Sequence, residues 1–126
     1  MTQHHAHPAS IAVPMDDQRI LQLAHDTLEI EAEAVRHLRH GLSPSFVQAV
    51  HAILHVTGRV VVMGMGKSGH VGRKITATLA STGTPAMFVH PAEASHGDLG
   101  MVKDTDLVIA ISNSGESDEL AAILPV

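Results

Sequence analysis

The chain has 126 residues, enough for one small domain, with a net charge of −5, two phenylalanines, and no Trp, Tyr or Cys. That balance argues against a nucleic-acid or anionic-membrane binder and against an aromatic base-stacking platform. The missing cysteines exclude a disulfide scaffold, thiol catalysis and thiolate zinc sites. Apolar runs such as Leu107 to Ile111 fall far short of the roughly 20 residues that span a bilayer. The N-terminus lacks the basic-then-apolar order of a secretion signal, so a cytoplasmic protein is expected. Histidine is abundant: protonating all 11 would carry the net charge from −5 to +6, near the pH where imidazoles titrate.

Residues 1–14 show no helical or strand period and carry two prolines, which predicts a disordered tail. His4, His5 and His7 lie in it and have no fixed geometry for a metal. Residues 15–57 read as an N-terminal helical segment. Asp16 or Asp17 can cap a first helix whose stripe is Ile20, Leu21, Leu23, Ala24, Leu28, Val35 and Leu38. Arg36 to His40 suit its C-terminal dipole, and Gly41 stops it. A second helix starts at Ser43 with Pro44 in its first turn, carries Phe46, Val47, Val50, Ile53 and Leu54 on one face, and ends by Gly58. His51 and His55 have metal-ligand spacing, but they follow Val50 and Leu54 and also read as flanks of the apolar face.

From Gly58 onward the period changes. Val60-Val61-Val62-Met63, Ala86-Met87-Phe88-Val89 and Leu107-Val108-Ile109-Ala110-Ile111 are short continuous apolar runs, as expected of buried parallel strands. A helix through Ile75, Leu79 and Ala80 separates the first two, and His90 to Met101 reads as a loop with room for one helical turn. Another helix opens at Asp118, Glu119 and Leu120 and has barely begun at Val126. This alternation predicts an α/β fold with a three-layer parallel sheet. A sheet of three strands is narrow, so residues 58–126 read as an incomplete domain truncated at its C-terminus.

Ligands of open α/β sheets bind at the carboxyl ends of the strands. Gly64-Met65-Gly66-Lys67-Ser68-Gly69 satisfies G-x-G-x-x-G, yet no acid for a ribose ends the second run, which closes Phe88-Val89-His90-Pro91. A Walker A reading fails because Val61 stands where its first glycine belongs. What remains is a tight turn that sets Lys67 over a helix N-terminus, suited to an anion or a developing oxyanion, or simply a solvated charge. Ser112-Asn113-Ser114-Gly115-Glu116-Ser117 places three hydroxyls and an amide before a helix, with Gly115 easing the turn. That is a phosphate cradle made without positive charge, or an ordinary N-cap loop. The middle loop holds His90, His96 and Asp98, candidates for proton transfer or plain polar surface. Glu119 suits a helix start and equally a base aimed into a pocket.

VVVMGMGKSGHVGRK (60–74), ASTGTPAMFVHPAEASHGDLGMV (80–102) and VIAISNSGESDE (108–119) together resemble the sugar isomerase (SIS) domain family, and within it the bacterial arabinose-5-phosphate isomerases. The resemblance implies interconversion of D-ribulose 5-phosphate and D-arabinose 5-phosphate through an enediolate, supplying Kdo for lipopolysaccharide. It implies no cofactor. It maps the family's functional lysine onto Lys67, its loop histidines onto His90 and His96, and its acid onto Glu119. Gly83 and Thr84 match a substrate-contacting pair. Ser112, Asn113, Ser114, Gly115 and Ser117 match the phosphate-binding turn, and Ser68 and His90 are expected to join them in binding the substrate and its phosphate. His90 matches a position where some members hold inhibitory zinc, although one histidine cannot close such a site. The chemistry suits Glu119 as carbon base, His96 as oxygen shuttle and Lys67 as electrostatic stabiliser, with the first two exchangeable. Relatives of this kind continue into further domains and build their sites across a homo-oligomer, so the 126 residues alone are expected to be inactive or poorly folded. The competing reading is a non-catalytic SIS sensor, which needs only the serine cradle; a dinucleotide-binding oxidoreductase is disfavoured by the missing ribose acid.

Overall fold

The computed structural model describes residues 16–94 and 97–123, apart from the side chain of Asp98. The tail expected over residues 1–14 lies outside that range. Two compact units divide the chain, residues 1–43 and 44–126.

The first unit contributes α1, Asp17–Leu38. Asp16 caps it by accepting from the Arg19 amide at 2.7 Å, which satisfies one of the amides a helix start leaves unpaired. A 3₁₀ turn, Arg39–Gly41, tightens the exit that Gly41 was expected to mark. Arg36 bridges to Glu29 and Glu33 at 2.9 and 3.0 Å; exposed pairs of this kind add little. The apolar stripe of α1 is exposed along its whole length.

The second unit opens with α2, Pro44–His55. Its face is exposed too: Phe46 by 56% and Leu54 by 71%. Amphipathic spacing creates a surface that favours burial, but it does not provide the partner. Three parallel strands follow, β1 (Val60–Gly64), β2 (Ala86–Val89) and β3 (Leu107–Ile111), in the order β2-β1-β3. Val60 to Met63 are buried on both sides, each valine worth about 1.5–3 kcal/mol. Here the continuous apolar run means what it was expected to mean.

The third run does not. β3 alternates, and Val108 is 41% exposed. The expectation of a fully buried strand is corrected because, at this edge of the sheet, the face that carries Val108 and Ala110 lacks cover. β2, the other edge, has only Val89 fully buried.

The register sets Val62 beside Phe88 and Ile109, and Met63 beside Val89 and Ala110. Alternation then divides the sheet into two faces. α3, Gly66–Ser81, covers the Val62–Phe88 face closely enough that a Cβ on Gly72 would meet Phe88 at 3.0 Å and Val62 at 3.2 Å. The other face holds the core of Val61, Met63 and Val89 with Ala94, Leu120 and Ile123. Those last three come from α4 (Pro91–Ala94) and α5 (Asp118–Ile123). A 3₁₀ turn, Asp98–Met101, completes the middle connection.

A polar lock joins the strands' amino ends. The Asp106 side chain, 1% exposed, accepts from the amides of Arg59 at 2.7 Å and Lys103 at 3.0 Å and pairs with the Arg59 guanidinium at 3.5 Å. The same guanidinium donates to the Met101 carbonyl at 2.7 Å. The lock pins the start of β1 to the start of β3 and so aligns their opposite ends, where the loops converge.

Candidate active site

The first turn of α3 stands between β2 and β3 at the carboxyl end of the sheet. Gly66 has φ +51°, a left-handed conformation that an L side chain rarely adopts. A Cβ on Gly69 would come within 2.7 Å of the Gly64 carbonyl oxygen. The glycines of this motif therefore serve the tight strand-to-helix junction, a use that requires no dinucleotide.

The serine turn is held by its own hydrogen bonds. The Gly115 amide donates to Ser112 Oγ at 3.0 Å, the Glu116 amide to Ser114 Oγ at 3.1 Å, and the Leu120 amide to Ser117 Oγ at 3.3 Å. Gly115 takes φ +74° to make the turn. A hydroxyl has one hydrogen to donate besides its acceptor lone pairs. The amides occupy lone pairs and leave the hydrogens of Ser112 and Ser114 without an acceptor among the described residues. Ser112, Asn113, Ser114 and Ser117 face Ser68 and Met65 across a cavity of about 250 Å³, floored by Ile111 and Leu120. Neutral donors lining a small hollow can receive an anion. Gly115 lines the adjoining groove of about 310 Å³ with Ala110 and Ala121.

Lys67 is exposed in the first turn of α3, between Gly66 and the cavity residue Ser68. Glu119 is exposed at the start of α5 and lines a separate groove, about 340 Å³, with Pro91, Ala92, Asp118 and Ala122. It reaches the serine cavity through Ser117, whose hydroxyl donates to Glu119 Oε2 at 3.0 Å. Its own backbone amide first, and the Ser117 hydroxyl second, hold the Glu119 carboxyl below the ordinary 4.5, so it is ionised at neutral pH.

His90 ends β2 on the other side of α3. It lines a hollow of about 140 Å³ with Gly66, Gly69, His70, Arg73 and Phe88, and its Nδ1 accepts from the Ala92 amide at 3.3 Å. Arg73 lies over the Phe88 ring, 4.3 Å from the centroid. The structure thus separates His90 from the serine cavity, with one helical turn between them. No group of three ligating side chains occurs among the described residues, so His90 has no partners there for a closed zinc site. His96 and the Asp98 side chain lie outside the described residues.

Gly83 and Thr84 are not brought to the serine cavity within one chain. α3 runs back against β1 and delivers them to the amino end of β2, where the Thr84 amide donates to the Leu79 carbonyl at 2.9 Å and Gly83 takes φ +98°. The length of β2, four residues at about 3.3 Å each, separates them from the carboxyl-end loops. Conversely, His70 and Arg73 were not singled out in the sequence. With Gly66 and Gly69 they follow an i, i+3, i+4, i+7 spacing on α3, a periodic signal that points to one shared face.

Three parallel strands with glycine and serine turns at their carboxyl ends, and a neutral hydroxyl cradle beside a helix start, define an α/β domain equipped to hold a small anion. Residues 53–126 match the SIS domain, and the chain belongs to that family. Among curated proteins it is 58% identical over 105 residues to the arabinose 5-phosphate isomerase KdsD of Salmonella typhi, covering 83% of this chain and 32% of that protein. It is 54% identical over 108 residues to the arabinose 5-phosphate isomerase GutQ of Escherichia coli O6:H1, covering 86% and 34% respectively. The chain thus spans about a third of the length of these relatives. Among solved structures, an E. coli CFT073 protein in complex with arabinose 5-phosphate has a TM-score of 0.83 at 44% identity, over 88% of this chain and 59% of that one. A Listeria monocytogenes structure has a TM-score of 0.85 at 36% identity, over 89% and 59%.

Proposed function

We propose that this chain carries the SIS portion of an aldose–ketose isomerase that interconverts D-ribulose 5-phosphate and D-arabinose 5-phosphate, in the supply of Kdo for lipopolysaccharide. The observation that carries the reading is the serine cavity, where hydroxyl donors from the turn after β3 meet Ser68 from α3. It suits the phosphate of a small sugar, and the high identity to arabinose 5-phosphate isomerases supports the choice of sugar.

In the reaction a base removes the proton from C1 of the ketose. The electron pair forms an enediolate, a proton moves between the two oxygens, and the carbon proton returns at C2, leaving the carbonyl at C1. We assign Glu119 as carbon base, His96 as oxygen shuttle and Lys67 as the cation beside the enediolate oxygens. The ionised state of Glu119 is the one a base requires. The balance is internal, so the proposed reaction draws on no redox cofactor.

The proposed working form is a cytoplasmic homo-oligomer. The exposed apolar face of α2 supports it. So do Gly83 and Thr84, which contact a substrate only if another copy presents them to the cavity. No helix among the described residues is long and apolar enough to cross a membrane.

The test adds ribulose 5-phosphate in D₂O to the protein in its proposed homo-oligomeric form. Deuterium incorporated at carbon supports the isomerase, whether or not net turnover is fast. A pentose 5-phosphate that raises Tm without exchange marks a sensor instead, and stabilisation by NAD(H) would overturn both readings.

A further inference from the structure

We propose that His51 and His55 on α2 form a surface site for one borderline divalent transition-metal ion (copper, nickel or zinc), held by two imidazole nitrogens with water in its remaining positions. The two residues are one helical turn apart and share a face. Both are exposed, and their ring centroids are 5.9 Å apart.

The decisive contact lies behind the ring. His55 Nδ1 is 2.7 Å from the His51 carbonyl oxygen. A carbonyl oxygen only accepts, so Nδ1 carries the hydrogen, and the neutral ring keeps its lone pair on Nε2, facing away from the helix. Metal-bound histidines are regularly held this way, one ring nitrogen donating to a backbone oxygen and the other free to ligate. Nitrogens bind zinc at about 2.0–2.1 Å, and the i, i+4 spacing on one helix face is a ligand spacing for a single ion.

The local charge is also permissive. α2 contains no Lys, Arg, Asp or Glu, so no ammonium on the helix repels a cation and no carboxylate ties up the imidazoles. At about 3.6 residues per turn, His51 and His55 stand about 100° and 140° around the axis from Val50, beside the apolar stripe rather than within it. Among the described residues, the pair His37 and His40 differs. Their ring centroids are 5.8 Å apart, but Arg39 Nε donates to His40 Nε2 at 3.3 Å. That bond occupies the lone pair a metal would need and sets a permanent cation beside it. No group of three or more ligating side chains is found among the described residues, so the protein supplies two ligands, and affinity follows the order in which copper binds tightest.

The test uses the full chain with His4, His5 and His7 replaced by alanine, which removes competing imidazoles. Copper(II), nickel(II) and zinc(II) chlorides are titrated separately. One copper per chain with two equatorial nitrogens in the electron paramagnetic resonance spectrum, and a Tm that rises with zinc, are expected. His51→Ala and His55→Ala should each lower affinity tenfold or more and abolish the rise, with the circular dichroism unchanged. His37→Ala should alter neither. Moving the second ligand off the face, as His55→Ala with Val56→His, should not restore binding. Unchanged affinity when both histidines are replaced, a one-nitrogen spectrum, or rescue by the displaced histidine would each overturn the site.

Discussion

Ser117 has one hydroxyl hydrogen, and it points at Glu119. That bond, added to the carboxylate's own amide, keeps Glu119 ionised below its ordinary range. Ser117→Ala should raise the Glu119 titration point toward 4.5, read from the carboxyl carbon in an NMR pH series. A folded value below the unfolded one means that the stabilising contribution is complete above about pH 4.5 and fades as pH falls through the folded value. If the proposed isomerase reading holds, Glu119→Gln and Lys67→Ala should each cost about 10²–10⁴ in kcat, measured with ribulose 5-phosphate on the proposed homo-oligomer. At this scale the sequence was readable where side-chain chemistry is dense within a few residues. Ser112, Asn113, Ser114 and Ser117 share one turn and line one cavity with Ser68. His90 was expected beside them from its residue type and from the resemblance, yet a helical turn intervenes, because neither says which side of α3 a strand end faces.

Among elements, the strands' amino ends depend on Asp106. Its carboxylate accepts from two backbone amides and an arginine, and those bonds hold its carboxyl below 3.8. Asp106→Ala strands the Arg59 and Lys103 amides and should destabilise the chain by about 1–3 kcal/mol in urea unfolding. The sign with pH follows. The lock is at full strength above about pH 3.8 and is lost as pH drops through the lower folded value, so wild type and variant should converge in stability in strong acid. Nothing in the local pattern of Lys103-Asp104-Thr105-Asp106 announces this role. The acid gains it only when β3 lies beside β1 and brings residue 106 to residue 59. The continuous apolar run did identify β1. The same pattern in Leu107 to Ile111 overstated the burial of β3, since a run of apolar residues cannot reveal whether each face of the strand is covered.

For the molecule as a whole, the exposed face of α2 carries the prediction. Phe46→Glu and Leu54→Glu sit on a surface already open to water, so each should change the chain's own unfolding free energy by no more than about 0.5 kcal/mol. Both should disperse the proposed homo-oligomer in analytical ultracentrifugation. A pair of variants that unfold the monomer, or leave its association untouched, would remove α2 from the interface. The amphipathic period of the helix was plain in the sequence, yet period alone does not say whether a face meets the same chain, another copy or solvent.

The alternation of apolar runs with helical periods, the glycine junction after β1 and the serine turn after β3 were determined by sequence alone, because each is a local pattern whose steric or hydrogen-bonding demand is met within a few residues. Tertiary structure alone decided that β1 is central, that Ser68 faces the serines, that His90 opens on the other side of α3 and that Gly83 and Thr84 stand at the far end of the sheet. Those outcomes depend on strand order and on the direction in which α3 carries the chain back, and both arise from packing between segments distant in sequence.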